Sequence, residues 1–478
     1  MNIRLYGGCF LMVFSSILFL FIYLPVVLGV YYIVPLKWRN PWLFVVNLVF
    51  YGWGEPVYII LMLFSIVVNY IFGIFVGKYR DENKKKAKTF LIINIVINLA
   101  MLMFFKYYNL FAVTLNQIPG LDFIHTLNIA LPIGISFYTF QTMSYPIDIY
   151  RGDSDIQKNF ISFGTFVALF PQLIAGPIIR YKDVASQLNF RASSAEQFAS
   201  GVRRFTIGLA KKVLIANNIG KLWDTYSVLV ASDLSMVGSW IGILAFSLQI
   251  YFDFSGYSDM AVGLGRMLGF EFMENFNYPY ISKSVTEFWR RWHISLGTWF
   301  RDYVYIPLGG NRKGKYRQLL NITIVWALTG FWHGASWTFM LWGLYYAAFL
   351  IFEKLFWLEK LEKAPKFFGH FYTVLVAVCG WVLFQLSSLE KCGVYYKAMF
   401  GFGDGGFIKP VDGFYAASFA IVFAIAIIAC TPLSKNLFNK LSEKAKAIAT
   451  PVLIALGLVV CTAYLVDATY NPFLYFRF

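Results

Sequence analysis

Histidine is scarce in this chain of 478 residues, with four in all: His125, His293, His333 and His370. Imidazole is the side chain that most readily takes and returns a proton near neutral pH, so the setting of each decides what it can do. His333 lies in Trp326-Ala327-Leu328-Thr329-Gly330-Phe331-Trp332-His333-Gly334-Ala335-Ser336-Trp337, far inside an apolar run. An ionisable residue in such surroundings is costly and marks a functional candidate, here a general base. Gly330 and Gly334 would let a second backbone or a substrate come close to the ring. A His hydrogen-bonded between helices as structural glue fits the same position. His293 lies in Ser284-Val285-Thr286-Glu287-Phe288-Trp289-Arg290-Arg291-Trp292-His293-Ile294-Ser295-Leu296. Ser284 and Glu287 have capping-box spacing, which predicts a helix start. Trp289, Trp292, His293 and Leu296 would then share one face, with Arg290 and Arg291 pointing elsewhere. An interfacial helix, with its Trp in the aromatic belt and its Arg on phosphates, fits that pattern too. His125 and His370 fall near loops or span ends and read as interfacial or solvated residues. No His pair has zinc-site spacing, and no phosphate loop, dinucleotide fingerprint or Gly-x-Ser-x-Gly is present, so no metal is expected.

The elements that must hold these residues follow from composition. Hydrophobic residues make up 59%, aromatics 20% and charged residues only 14%, with mean hydropathy +0.61. A soluble chain carries about 25% charged residues and could not hide this much Phe, Leu and Ile. The expected fold is an all-α polytopic integral membrane protein. The charge of +16 comes from 41 Lys and Arg against 25 Asp and Glu. The basic residues sit in short runs between apolar segments, where they set orientation and touch anionic head groups, so no nucleic-acid partner is expected. Of the five Cys, Cys9, Cys379, Cys430 and Cys461 lie within apolar runs and read as small buried hydrophobes.

A crossing needs roughly 20 apolar residues. Candidate spans are 9–34, 41–53, 57–77, 89–112, 129–148, 160–179, 237–255, 318–350, 371–388, 414–432 and 450–468, the first read as a retained span, 41–53 being short and 318–350 long enough to tilt or break. This supports about 10–12 transmembrane helices. The basic run 78–88 should be cytoplasmic, which places Lys37 and Arg39 on the same side and the N-terminus outside. Residues 180–225, with Arg180, Lys182, Arg191, Arg203, Arg204, Lys211, Lys212 and Lys221, and residues 282–317 are also basic. The apolar stretch between them carries Asp253, Gly256, Asp259, Gly263 and Gly265, which predicts broken or re-entrant helices facing protein or water. No internal repeat is evident.

Several blocks stand out along the chain: Leu131-Pro132-Ile133-Gly134-Ile135-Ser136-Phe137-Tyr138-Thr139-Phe140-Gln141, Phe170-Pro171-Gln172-Leu173-Ile174-Ala175-Gly176-Pro177, Tyr251-Phe252-Asp253-Phe254-Ser255-Gly256-Tyr257-Ser258-Asp259, Phe288 to His293, Trp332-His333-Gly334 and Tyr470-Asn471-Pro472-Phe473. Together they resemble the membrane-bound O-acyltransferase family, in its bacterial branch that acetylates alginate or transfers D-alanine to teichoic acid. The resemblance covers nearly the whole chain. It implies one domain over 1–478, with N-terminal helices in 1–125, a motif-bearing catalytic core in 126–350 and C-terminal helices in 351–478. Re-entrant and interfacial helices would surround a central catalytic cavity. His333 matches the family's catalytic His and His293 its second functional His. Trp289, Trp292, Asn311, Trp332 and Asp253 are the expected substrate-binding residues. The run Trp299 to Asn311, ending Pro307-Leu308-Gly309-Gly310-Asn311, resembles the alginate-type branch and favours acetyl transfer.

The implied donor is acetyl-CoA or another cytoplasmic acyl thioester, with no permanently bound cofactor. The implied acceptor is an SGNH-type extracytoplasmic partner or a polysaccharide, beside membrane lipid and with an acyl carrier protein as a further candidate. The expected location is the cell (plasma or inner) membrane. D-alanyl transfer from a carrier protein and a non-enzymatic acyl or glycan exporter remain alternatives, the latter drawing on Asp253 and Asp259.

Overall fold

Residues 12–120, 123–229, 231–467 and 474 are described by the computed structural model. Cys9, the start of the first expected span and the Tyr470-Asn471-Pro472-Phe473 block lie outside them. The described residues form helices and no strand, as an all-α membrane chain must when backbone groups can be satisfied only internally. The chain makes two compact units, Met1–Phe205 with Tyr257–Met273, and Thr206–Gly256 with Glu274–Phe478.

The first unit begins with α1 (Leu24–Ile33) and α2 (Leu36–Gly54), followed by α3 (Ile59–Arg80) and α4 (Lys84–Leu102), which runs on through a π-helical turn to Leu115. The basic run 78–88 forms the tight turn between α3 and α4, where Asn83 Oδ1 accepts the Lys86 N–H at 3.0 Å and caps α4. Buried amides tie this pair together: Asn94 and Asn98 both donate to Asn69 Oδ1 at 3.1 Å. Such polar contacts replace the hydrophobic drive that lipid cannot supply. Next come α5 (Ile135–Arg151) and α6 (Phe160–Ala168). Gly134 starts α5 at φ 75°, and a Cβ there would sit 2.7 Å from Leu173 O, so this member of the Leu-Pro-Ile-Gly block has to be glycine.

Further along are α7 (Ala195–Ala210), which continues through a π-helical turn at Lys211–Ala216, and α8 (Met236–Met267). Two short helices, α9 (Val285–Arg291) and α10 (Ile294–Phe300), precede α11 (Lys315–His333), α12 (Trp337–Phe352), α13 (Lys366–Gln385), α14 (Pro410–Ala429) and α15 (Glu443–Asp467). Among the described residues, seven helices are long and apolar enough to cross a membrane by length and composition. They match the expected spans 57–77, 89–112, 237–255, 371–388, 414–432 and 450–468 and the second half of 318–350.

The remaining expected spans take other forms. Residues 318–350 break at Gly334–Ser336 into α11 and α12. The stretch 160–179 is interrupted beyond α6, where the Phe170 N–H turns to Asn47 Oδ1 at 3.1 Å and the Gln172 side chain donates to Phe166 O in its place. In 129–148 only α5 is helical, and its buried Ser136, Thr139, Gln141, Thr142 and Ser144 make it an interior helix.

The expected break near Asp253 and Asp259 does not occur, since α8 is one unbroken helix of 32 residues. Its carboxylates find partners outside the helix, so the backbone need not open. Asp253 Oδ1 pairs with Lys212 Nζ at 2.5 Å and its Oδ2 accepts the Leu474 N–H at 2.9 Å. Asp259 pairs with Arg204 at 2.7 Å. Both face protein, as the cost of a carboxylate in hydrocarbon requires. The glycines serve close approach: a Cβ on Gly256 would lie 2.8 Å from Gly208 O, and one on Gly263 would lie 2.6 Å from Gly201 O.

Candidate active site

Helix α9 starts where the capping box predicts, with Ser284 Oγ accepting the Glu287 N–H at 3.0 Å. A second cap comes from Glu353, fully buried at the end of α12. Its carboxylate accepts the Val285 N–H at 2.6 Å, the Thr286 N–H at 2.8 Å and the Thr286 hydroxyl at 2.7 Å. A negative charge on the exposed N–H groups of a helix start is favourable, and it fixes the direction in which α9 leaves.

The helix does not continue through His293. Trp292 is extended and His293 adopts φ 46° and ψ 53°, a left-handed conformation that non-glycine residues rarely take. The expected shared face of Trp289, Trp292, His293 and Leu296 is therefore broken between Trp292 and His293. Asn275 holds the break. Its backbone O accepts the Ile294 N–H at 3.0 Å, and its Oδ1 accepts the Ser295 N–H at 3.1 Å and the Ser295 hydroxyl at 2.9 Å. The same Oδ1 lies 3.2 Å from His293 Nδ1. Because that oxygen already receives the Ser295 N–H, it is an acceptor toward His293, and the imidazole proton belongs on Nδ1. Nε2 is then a bare lone pair, buried and with no hydrogen-bond partner. Burial, with no compensating charge, holds the His293 pKa down to about 3, so the ring is neutral at physiological pH.

His333 ends α11 and is 4% exposed. Its ring meets Trp332 and Trp342, each at 5.0 Å, and Phe384 at 5.2 Å. Trp332 also meets His293 at 6.1 Å, and Phe254 closes on His293 at 4.7 Å. Both histidines thus lie in one aromatic cluster, joined through Trp332. Trp289 enters it against Trp326 at 4.6 Å, Tyr346 at 4.7 Å and Trp342 at 5.5 Å. Trp292 packs on Trp381 at 4.8 Å. The glycines flanking His333 admit neighbours as expected: a Cβ on Gly330 would strike Phe339 O of α12, and one on Gly334 would strike the Phe339 ring. Gly330 and Gly343 face each other where α11 and α12 come closest.

Two of the expected site residues lie apart from this cluster. Asn311 is exposed on the turn before α11. Asp253 neighbours Phe254 in sequence, but its carboxylate is committed to Lys212 and the Leu474 N–H. His370 lies on α13, its Nδ1 3.1 Å from Ser282 O. The described cysteines, Cys379, Cys392, Cys430 and Cys461, are all free, and no described group of His, Cys, Asp and Glu could hold a metal. Sequence reasoning missed Asn275, Trp342, Phe384 and Glu353. For Trp342 a signal was present, because it adjoins Gly343, the partner of Gly330.

The model of the membrane-bound O-acyltransferase family matches residues 154–394, a segment that contains both buried histidines. The chain belongs to the membrane-bound O-acyltransferase family. It is a multi-pass membrane enzyme that transfers acyl groups to oxygen. The probable alginate O-acetylase AlgI of Pseudomonas putida is 40% identical over 488 residues, covering 98% of this chain and 100% of that protein. The probable alginate O-acetylase AlgI of Azotobacter vinelandii is 44% identical over 82% of this chain and 79% of its own. The peptidoglycan O-acetyltransferase of Helicobacter pylori is 34% identical over 82% of this chain and 80% of its own. The resemblance carried by the motif blocks is borne out.

Proposed function

We propose that this enzyme takes an acetyl group from acetyl-CoA on the cytoplasmic side of the cell membrane and delivers it outward for O-acetylation of an extracellular polysaccharide, through an SGNH-type partner. The observation that carries this reading is the pairing of two buried, aromatic-walled histidines in a chain whose relatives bear the names of O-acetylating enzymes. A thioester is already activated, so the chemistry asks only for a base on the attacking hydroxyl and donors for the developing oxyanion. In this reading His333 takes the hydroxyl proton as oxygen bonds to the acyl carbon, and returns it to the departing thiolate sulfur. His293, neutral and fixed by Asn275, presents Nε2 to a donor hydrogen on acceptor or acyl carrier and so orients the attack.

The basic stretch 180–225 offers a carrier protein less than its composition suggests. Arg180 pairs with Asp183, Lys182 with Asp153, Arg204 with Asp259 and Lys212 with Asp253, while Arg191 is buried on Tyr31 and Asn40. This favours CoA over a carrier-bound donor. The test is transfer of radiolabelled acetyl from acetyl-CoA by purified protein in vesicles, beside His333→Gln. The variant should fold and bind CoA while losing about 10²–10⁴-fold in rate, the usual contribution of a general base. Near-parental transfer by His333→Gln would remove the base assignment. Transfer of D-alanine from a carrier protein, with none from acetyl-CoA, would move the enzyme to the other branch.

A further inference from the structure

Two indole N–H groups in the aromatic cluster have no acceptor. Trp342 is 1% exposed, and its Nε1 is buried without a hydrogen-bond partner; the Nε1 of Trp289 is in the same condition. A buried Trp N–H almost always finds an acceptor, because leaving it dry and unpaired is expensive. The neighbouring indole of Trp381 shows the ordinary outcome, donating to Tyr280 Oη at 3.0 Å. The two orphaned indoles meet each other at 5.5 Å, and Trp342 meets His333 at 5.0 Å. They come from different elements, Trp289 from α9 and Trp342 from α12; Trp342 touches the histidine that ends α11, and Trp289 joins it through Trp342.

We propose that the indole N–H of Trp342, seconded by that of Trp289, is the oxyanion-binding donor of the transfer reaction. The proposal rests on the reading of His333 as the base. As the hydroxyl oxygen bonds to the acyl carbon and its proton passes to His333, the carbonyl π electrons move onto oxygen. That oxygen takes the indole hydrogens as its hydrogen bonds. When the carbon–sulfur bond breaks, the carbonyl re-forms and the proton returns to the thiolate. Donors that are rigid, dry and unpaired beforehand stabilise such a charge without having to reorganise. Both indoles are held on several sides by rings, Trp342 by Phe384 at 5.1 Å and Tyr346 at 5.3 Å.

The deciding variant carries benzothienylalanine at position 342, which keeps the bicyclic ring and replaces the N–H by sulfur. Its kcat for acetyl transfer from acetyl-CoA should fall by about 10²- to 10³-fold, as when one oxyanion donor is removed elsewhere. Its KM should stay within about threefold, since the lost bond forms only with the transition state. Its affinity for S-ethyl-CoA, which lacks the thioester carbonyl, should equal the parent's. Trp289→Phe should show the same pattern more weakly. Trp381→Phe shrinks a side chain of the same cluster and deletes the N–H bonded to Tyr280, so it should lower thermal stability with little change in kcat. Parental kcat at position 342, or equal losses at 342 and 381, would overturn the proposal. Failure of the underlying reading looks different: His333→Gln would then transfer acetyl at a near-parental rate, and the proposal falls with it.

Discussion

Asn275 shows how much a single amide can decide. It gives a backbone acceptor to Ile294 and a side-chain acceptor to both donors of Ser295, while facing His293 Nδ1. Those contacts stop α9, start α10 and choose which nitrogen of His293 is bare. Asn275→Leu should leave a misplaced imidazole and unpaired donors, and lower transfer on the order of 10²-fold, the scale of a roughly 1 Å misplacement. Asn275→Asp keeps the acceptor oxygen and should recover a large part of that loss. Steady-state kinetics of both variants checks this, and equal activity of Leu and Asp would mean that the amide oxygen does not set the ring. The role of Asn275 was not legible in the sequence. It stands 18 residues before His293, and nothing in Trp292-His293-Ile294 carries the Gly or Pro that announces a helix break. His333 was legible because the composition of its surroundings alone makes a histidine conspicuous.

At the scale of elements, the motif that reads as one helix becomes two, and the stretch that reads as broken becomes one. Both reversals come from side chains that reach across from other elements. Ser284 signalled the start of α9 because capping is local, whereas the end of α9 depends on a distant asparagine. The carboxylates of α8 signalled burial in protein correctly. Their partners Lys212 and Arg204 lie on the preceding helical segment, so the reason the helix stays whole was out of sight. The Lys212–Asp253 pair gives a prediction at this scale. Asp253→Leu strands a buried ammonium, and breaking such a pair costs about 3–5 kcal/mol. Lys212→Met combined with Asp253→Leu should recover most of that stability, measured by thermal unfolding in detergent. A double variant as unstable as the single one would show that the charges do more than satisfy each other.

For the whole molecule, composition alone placed the chain in a membrane, and the loop charges predict its sides. The start of α4 presents Lys84, Lys85 and Lys86 to solvent and should face the cytoplasm. In an otherwise Cys-free protein, a membrane-impermeant maleimide added outside intact cells should label a cysteine at position 2 and spare one at position 84. The opposite pattern would reverse the direction of acyl delivery. The ion pairs on α8 also bear on how the protein is made. Of the seven candidate spans, α8 has the lowest mean hydropathy, and it carries Asp253 and Asp259. Ribosomes deliver α7 and the turn after it first, with Arg204 and Lys212 already in place. When α8 emerges, its two acids meet cations that are waiting for them, and a segment that would partition poorly by itself gains a reason to stay. Chain order should thus help the translocon accept a helix whose carboxylates the finished protein keeps buried and paired.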